Sequence, residues 1–170
     1  QDQIKFFVNN CSDNAVSDFY EKHKNSACSM GFYVENPKEA LLEAVKRGAV
    51  AVENNFDSIW TGIPAVYGIG GSVIYLVSRN DEFLQPFDIM NREVNDILGF
   101  GLGYIDHLTH NVYRGNMQKW ADFYSNIFGF RQIRYFDIDG KVTGLFSKAM
   151  TSACGKIKIP LNESKDDKSQ

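Results

Sequence analysis

Two stretches of the chain carry the 3.6-residue apolar spacing of a half-buried helix, and each is followed by runs of alternating period that mark strands. In "NPKEALLEAVKRG", Ala40, Leu41, Ala44 and Val45 form one apolar stripe. Asn36 is placed to cap this helix, Pro37 suits its first turn, Glu39 completes a capping box and Gly48 stops it. The strand "SACSMGFYV" precedes it, and "AVAVE" and "AVYGIGGSVIYLVSR" follow, the last dividing near its glycines. The predicted order is strand, helix, then three strands.

The second stretch repeats that order. "YIDHLTHNV" reads as a strand, and Asn116 then caps a helix in which Met117, Trp120, Ala121, Tyr124, Ile127 and Phe128 recur at helical spacing up to Gly129. "RQIRYFDI", "VTGLFSKAM" and "KIKIPLNE" follow as three strands separated by "DG" and "CG" turns. The pattern therefore predicts an α+β protein of two βαβββ modules, a repeat of element order rather than of residue identity. Residues 1–80 form the first part, 81–103 a linker bounded by Asp, Asn and glycines, and 104–170 the second part. Outside the scheme, "IKFFVNN" reads as a terminal strand, Val16, Phe19, Tyr20 and His23 mark a short helix, and the tail "NESKDDKSQ" is polar, so that both ends look cut.

Composition narrows the function more than the fold. With 170 residues the chain is long enough to bury a real core, and 44% hydrophobic against 23% charged residues argues against general disorder. A formal charge of -3 without a basic cluster gives no reason to expect a nucleic-acid partner. No apolar run approaches the ~18 residues of a membrane helix, and "QDQIKFF" lacks the layout of a signal peptide, so no membrane association and a cytoplasmic location are expected. Cys11, Cys28 and Cys154 share no metal-type spacing and are expected to be reduced thiols. "GIGG" at 68–71 lacks the Lys and Ser or Thr of a phosphate loop and reads as a turn or bulge.

Candidate chemistry concentrates in "IDHLTHNVYRG", which sets His107 and His110 three residues apart. In a regular strand His107 shares a face with Thr109 and Asn111, while His110 points the other way, so one ion cannot take both rings without a bulge. Spacing alone leaves His107 open as either a metal ligand or a hydrogen-bonded strand residue. By the same alternation Asp106 falls opposite His107 and reads as structural, and Trp120 and Tyr124 read as core.

The run "IDHLTHNVYRGNMQKWADFYSNIFGFRQIRYFDI", continued through "GLFSKAM" and "KIPLNES" to "SQ", resembles the opening of the catalytic domain of the 4-hydroxyphenylpyruvate dioxygenase family, in the vicinal-oxygen-chelate superfamily. Residues 1–80, notably "GIGGSVIYLVSR", resemble the second part of that family's non-catalytic N-terminal domain. The resemblance implies a site in which Fe(II) is held by two histidines and a glutamate, the first histidine following the Asp of a D-H pair, here His107. It implies that Ser147, Asn162 and Gln170 line the substrate pocket, with Pro160 at its border. It further implies oxidation of 4-hydroxyphenylpyruvate, an α-keto acid, with O2 to homogentisate and CO2 in tyrosine catabolism. Each half keeps one module whose partner is incomplete, which leaves sheet edges unpaired and an apolar face uncovered, so a homo-oligomer, dimerised or with chains swapped, is expected. The second histidine and the glutamate are expected beyond Gln170, so this chain alone is expected to be inactive and without a well-formed iron site. Two other readings stay open: a 4-hydroxymandelate synthase, and a non-catalytic ligand-binding module of the same superfamily.

Overall fold

In the computed structural model of the chain, residues 4–8, 15–53, 62–80, 103–140 and 143–166 are described. They fall into two compact units, one spanning Gln1–Glu43 and Val50–Tyr104, the other Ile105–Gln170 together with the short segment Ala44–Ala49. The expected linker lies, but for Gly103, outside the described residues. Among the described residues no helix is long and apolar enough to cross a membrane.

In the first half of the chain, helix α1 (Ala15–His23) is followed by strand β1 (Ser29–Tyr33), helix α2 (Pro37–Lys46, its last residues from Ala44 grouped with the second unit), β2 (Ala65–Tyr67) and β3 (Val73–Val77). The sheet runs β1-β3-β2, with β1 parallel and β2 antiparallel to β3. Asn36 caps α2 as expected, its Oδ1 accepting from the backbone N–H groups of Lys38 and Glu39 at 3.2 and 3.3 Å. "AVAVE" contributes only a bridge, Ala51 opposite Val66, rather than a full strand, although backbone bonds from Val52 to Ala65 and from Tyr67 to Val50 keep it alongside β2. Val66, Ile74 and Leu76 form the buried centre. "GIGG" is a 3-10 turn, Ile69–Gly71, in which Gly70 and Gly71 both take positive φ, and the Gly70 carbonyl meets His23 Nε2 at 2.9 Å.

Two expectations fail here. Val45 belongs to the predicted apolar stripe but is exposed, so the buried face of α2 centres on Ala44. Ile4 to Val8 of "IKFFVNN" form no strand, and Phe6 and Val8 are exposed. The segment meets β1 through a side chain, Lys5 Nζ donating to the Tyr33 hydroxyl at 3.0 Å; Asn9 and Asn10 lie outside the described residues.

The second unit is a complete βαβββ module: β4 (His110–Val112), α3 (Met117–Phe128), β5 (Arg131–Asp139), β6 (Gly144–Thr151) and β7 (Lys158–Ser164). Its sheet order is β4-β7-β6-β5, with β4 parallel to β7 and the other pairs antiparallel. Gly129 ends α3 in the left-handed conformation, its N–H returning to the last turn. Asn116 precedes the helix but its side chain makes no cap, since its backbone is already in the α region (φ -104°, ψ -2°). The donor at the helix start is satisfied from the sheet, where Glu163 of β7 accepts the Met117 N–H at 2.8 Å.

Helix α3 covers one face of this sheet and buries Tyr124, Met150, Ile159 and Leu161 to 1% exposure or less. Period two then sends Ser147, Ala149, Pro160 and Asn162 to the other face. The site is built on that uncovered face.

Candidate functional site

The face opposite α3 holds a concavity of about 320 Å³, near the lower end of small-molecule sites. Its cross-strand row is set by register: Phe136 pairs with Ser147, Ser147 with Asn162, and Asn162 with Asn111. Ile138 and Leu145 extend the apolar wall, Ala149 and Pro160 border the other side, and His107 and Thr109 line it from the segment leading into β4. Phe136 and Ile138 are 41% and 46% exposed, so the apolar wall is open to solvent.

His107 and Ser147 and Asn162 are thus brought together in one cavity. Gln170, the fourth expected site residue, lies outside the described residues. His110 points the other way: its Nδ1 lies 3.2 Å from the Tyr124 hydroxyl beneath α3, with ring centroids 5.8 Å apart. Burial lowers the pKa of His110 and raises that of Tyr124, which keeps both groups neutral in the core.

Asp106 does not behave as strand alternation predicts. Residues 103–109 are outside any regular strand, and the Asp106 carboxylate turns back to meet its neighbour, with Oδ2 2.7 Å from His107 Nδ1. Its other oxygen, Oδ1, accepts from Lys158 Nζ at 2.9 Å. The His107 ring and the Lys158 ammonium hold the Asp106 carboxyl below its usual pKa. Lys158 opens β7, and its carbonyl accepts the Leu108 N–H at 3.1 Å, so the parallel ladder brings these distant residues side by side. Periodicity of single segments misses this contact because it depends on register between β4 and β7. The apolar wall was more accessible to sequence reasoning, since Phe136 and Ile138, and Leu145 with Ser147, sit two apart on one face.

Among the described residues no group of three or more His, Cys, Asp or Glu side chains is close enough to hold an ion. His107 nevertheless has the chemistry of a ligand: an imidazole whose Nδ1 is engaged by a carboxylate is the usual form of a metal-bound histidine, coordinating through Nε2. The residues present fit a metal as one donor of a set. Cys28 and Cys154 are free thiols and take no part in the cavity.

The fold and this one-faced cavity define the class. Residues 104–170 match the family described as the glyoxalase, bleomycin resistance protein and dioxygenase superfamily. Residues 1–91 match the N-terminal domain of hydroxyphenylpyruvate dioxygenase, and the chain belongs to that family. It is 51% identical over 174 aligned residues to the 4-hydroxyphenylpyruvate dioxygenase of Legionella pneumophila (strain Corby), covering 100% of this chain and 48% of that protein. Identity to the Pseudomonas aeruginosa enzyme of the same name is 49%, with the same coverage. The chain therefore spans about half the length of the curated relatives it matches. Among solved structures, a xylose isomerase-like TIM barrel/4-hydroxyphenylpyruvate dioxygenase fusion protein superposes with a TM-score of 0.69 at 28% identity, over 88% of this chain and 23% of that one. A mutant 4-hydroxymandelate synthase from Streptomyces coelicolor shares the fold, with a TM-score of 0.71 at 18% identity over 95% of this chain and 47% of that one.

Proposed function

We propose that this chain is part of a non-haem Fe(II) dioxygenase that converts 4-hydroxyphenylpyruvate and O2 to homogentisate and CO2 in tyrosine catabolism. Residues 1–80 are the second part of a non-catalytic N-terminal domain, 81–103 a linker, and 104–170 the first module of the catalytic domain. The observation that carries the reading is one cavity on which an imidazole, two short polar side chains and an apolar aromatic wall converge. In this reading His107 is an iron ligand, and Ser147, Asn162 and Gln170 contact the substrate.

Bound iron would supply open coordination positions for a chelating α-keto acid and for O2. The chain's own contribution is placement. Phe136, Ile138 and Leu145 offer an apolar surface to an aromatic ring, and Ser147 and Asn162 offer hydrogen bonds that set its orientation. Closing the open side of this face in the complete enzyme would exclude water from the reacting atoms. One imidazole is too small a donor set to retain iron, and the 170-residue chain alone is expected to form no homogentisate.

The exposed apolar side chains of β5, including Ile133 and Tyr135, support a homo-oligomer, in which chains could exchange modules; light scattering at high concentration reads this directly, and a monodisperse monomer refutes it. A cytoplasmic enzyme is the compartment this reading assumes. The product of the full reading frame, loaded with ferrous iron and given 4-hydroxyphenylpyruvate, should release homogentisate and CO2. 4-Hydroxymandelate instead would assign the synthase activity, and tight stoichiometric ligand binding with no turnover would assign a sequestering module.

A further inference from the structure

We propose that Asp106, braced by Lys158, is a positioning residue that fixes the tautomer of His107, placing the ring proton on Nδ1 and leaving the Nε2 lone pair for the cavity. Its functional meaning rests on the reading of His107 as a ligand; the tautomer itself does not. Two observations and one rule of hydrogen-bond chemistry carry it. The Asp106 Oδ2 to His107 Nδ1 distance is 2.7 Å, a short hydrogen bond. An ionised carboxylate only accepts, so in a neutral ring Nδ1 must be the donor and Nε2 the free nitrogen. The second carboxylate oxygen accepts from Lys158 Nζ at 2.9 Å, which holds the carboxylate in place against the ring.

The brace is itself anchored. Lys158 begins β7, and its carbonyl holds the Leu108 N–H, so the backbone immediately after His107 is tied to the strand that carries the ammonium. His110, by contrast, has its Nδ1 committed to Tyr124 in the core, and its ring is turned from the cavity. Asp106 and His107 are both about half exposed, at 52%, so the pair contributes little to stability. That separates a positioning role from a structural one, because the tautomer should change where the melting temperature does not.

Long-range 15N–1H correlation spectra of the imidazoles test this on the 170-residue chain at about pH 9, where an ordinary imidazole is neutral. The His107 signals are assigned by their loss in His107→Gln. Wild type should show the Nδ1–H form. Asp106→Ala should move His107 to the Nε2–H form that an unrestrained side chain prefers, with the melting temperature unchanged. Asp106→Asn, whose carbonyl still accepts, should retain the wild-type tautomer in part, and Lys158→Met should give a mixture. An Nε2–H ring in wild type, or one unaffected by Asp106→Ala, overturns the proposal; if the alanine variant does not fold, the asparagine and Lys158→Met variants decide it. In the product of the full reading frame, Asp106→Ala should weaken cobalt(II) binding about 10–100-fold. The spectra need neither metal nor turnover, so failure of the dioxygenase reading would leave the tautomer result standing, and the reverse holds too.

Discussion

Replacing Tyr124 with Phe removes one oxygen from the centre of the second unit and nothing else. The ring would keep its neighbours, since Phe123, Phe128 and Phe130 surround it at centroid separations of 5.2, 6.2 and 5.4 Å. What is lost is the contact between the hydroxyl and His110 Nδ1 at 3.2 Å. A neutral hydrogen bond of that kind is worth about 0.5–1.5 kcal/mol net, and a polar nitrogen left without its partner costs about 1–3 kcal/mol. His110 is only half-buried, so water can reach part of it, and the lower end applies: a loss of about 1 kcal/mol. Urea unfolding gives the global value, and hydrogen exchange of the α3 amides gives the local one. His110→Leu and the double variant complete a cycle in which the coupling should account for most of that loss. A cost for Tyr124→Phe below about 0.3 kcal/mol, or a coupling near zero, would show that the two groups do not depend on one another.

The pH dependence follows from the same pair. Burial lowers the His110 pKa below its ordinary value of 6.5, so between the folded and unfolded values the unfolded chain binds the extra proton. This contribution to stability is complete above about pH 6.5 and falls as pH drops below it, levelling off under the folded pKa; denaturation midpoints of wild type and His110→Leu should converge on acidification, and parallel curves would contradict it. Glu163→Ala removes the acceptor for the Met117 N–H and should cost about 1 kcal/mol with early fraying of α3, which exchange rates at its first turn would reveal. Gly144→Ala would set a methyl 2.7 Å from Lys165 Cδ and 3.1 Å from the Ile138 carbonyl, so a loss of about 1–3 kcal/mol is expected in thermal unfolding, and an unchanged midpoint would mean that the strand yields freely.

Helix α3 and the three strands after it were legible because their signals are local: a stripe at helical spacing, Gly129 at the stop, and turn residues between alternating runs. The strand expected over 104–112 shortens to His110–Val112 for a non-local reason. Its parallel partner begins only at Lys158, so among the described residues no strand lies opposite the residues before His107. That shortening releases Asp106 from strand alternation and lets it reach His107, a contact no single-segment pattern contains. Strand β5 shows another limit. It forms the expected strand, yet all nine residues are exposed, because it sits at the sheet edge, with a bulge between Gln132 and Arg134. The cap of α3 was misplaced for a related reason, since Glu163 is 46 residues from the N–H it satisfies.

Iron content of the product of the full reading frame, measured after anaerobic loading with ferrous iron in His107→Ala and His110→Leu variants, tests the assignment of the cavity most directly. The two histidines lie three residues apart on opposite sides of one sheet, so His107→Ala should abolish bound iron and homogentisate formation while His110→Leu, if somewhat less stable, retains its iron. Full iron occupancy without the His107 imidazole, or loss of iron on replacing His110 alone in a folded protein, would contradict the account.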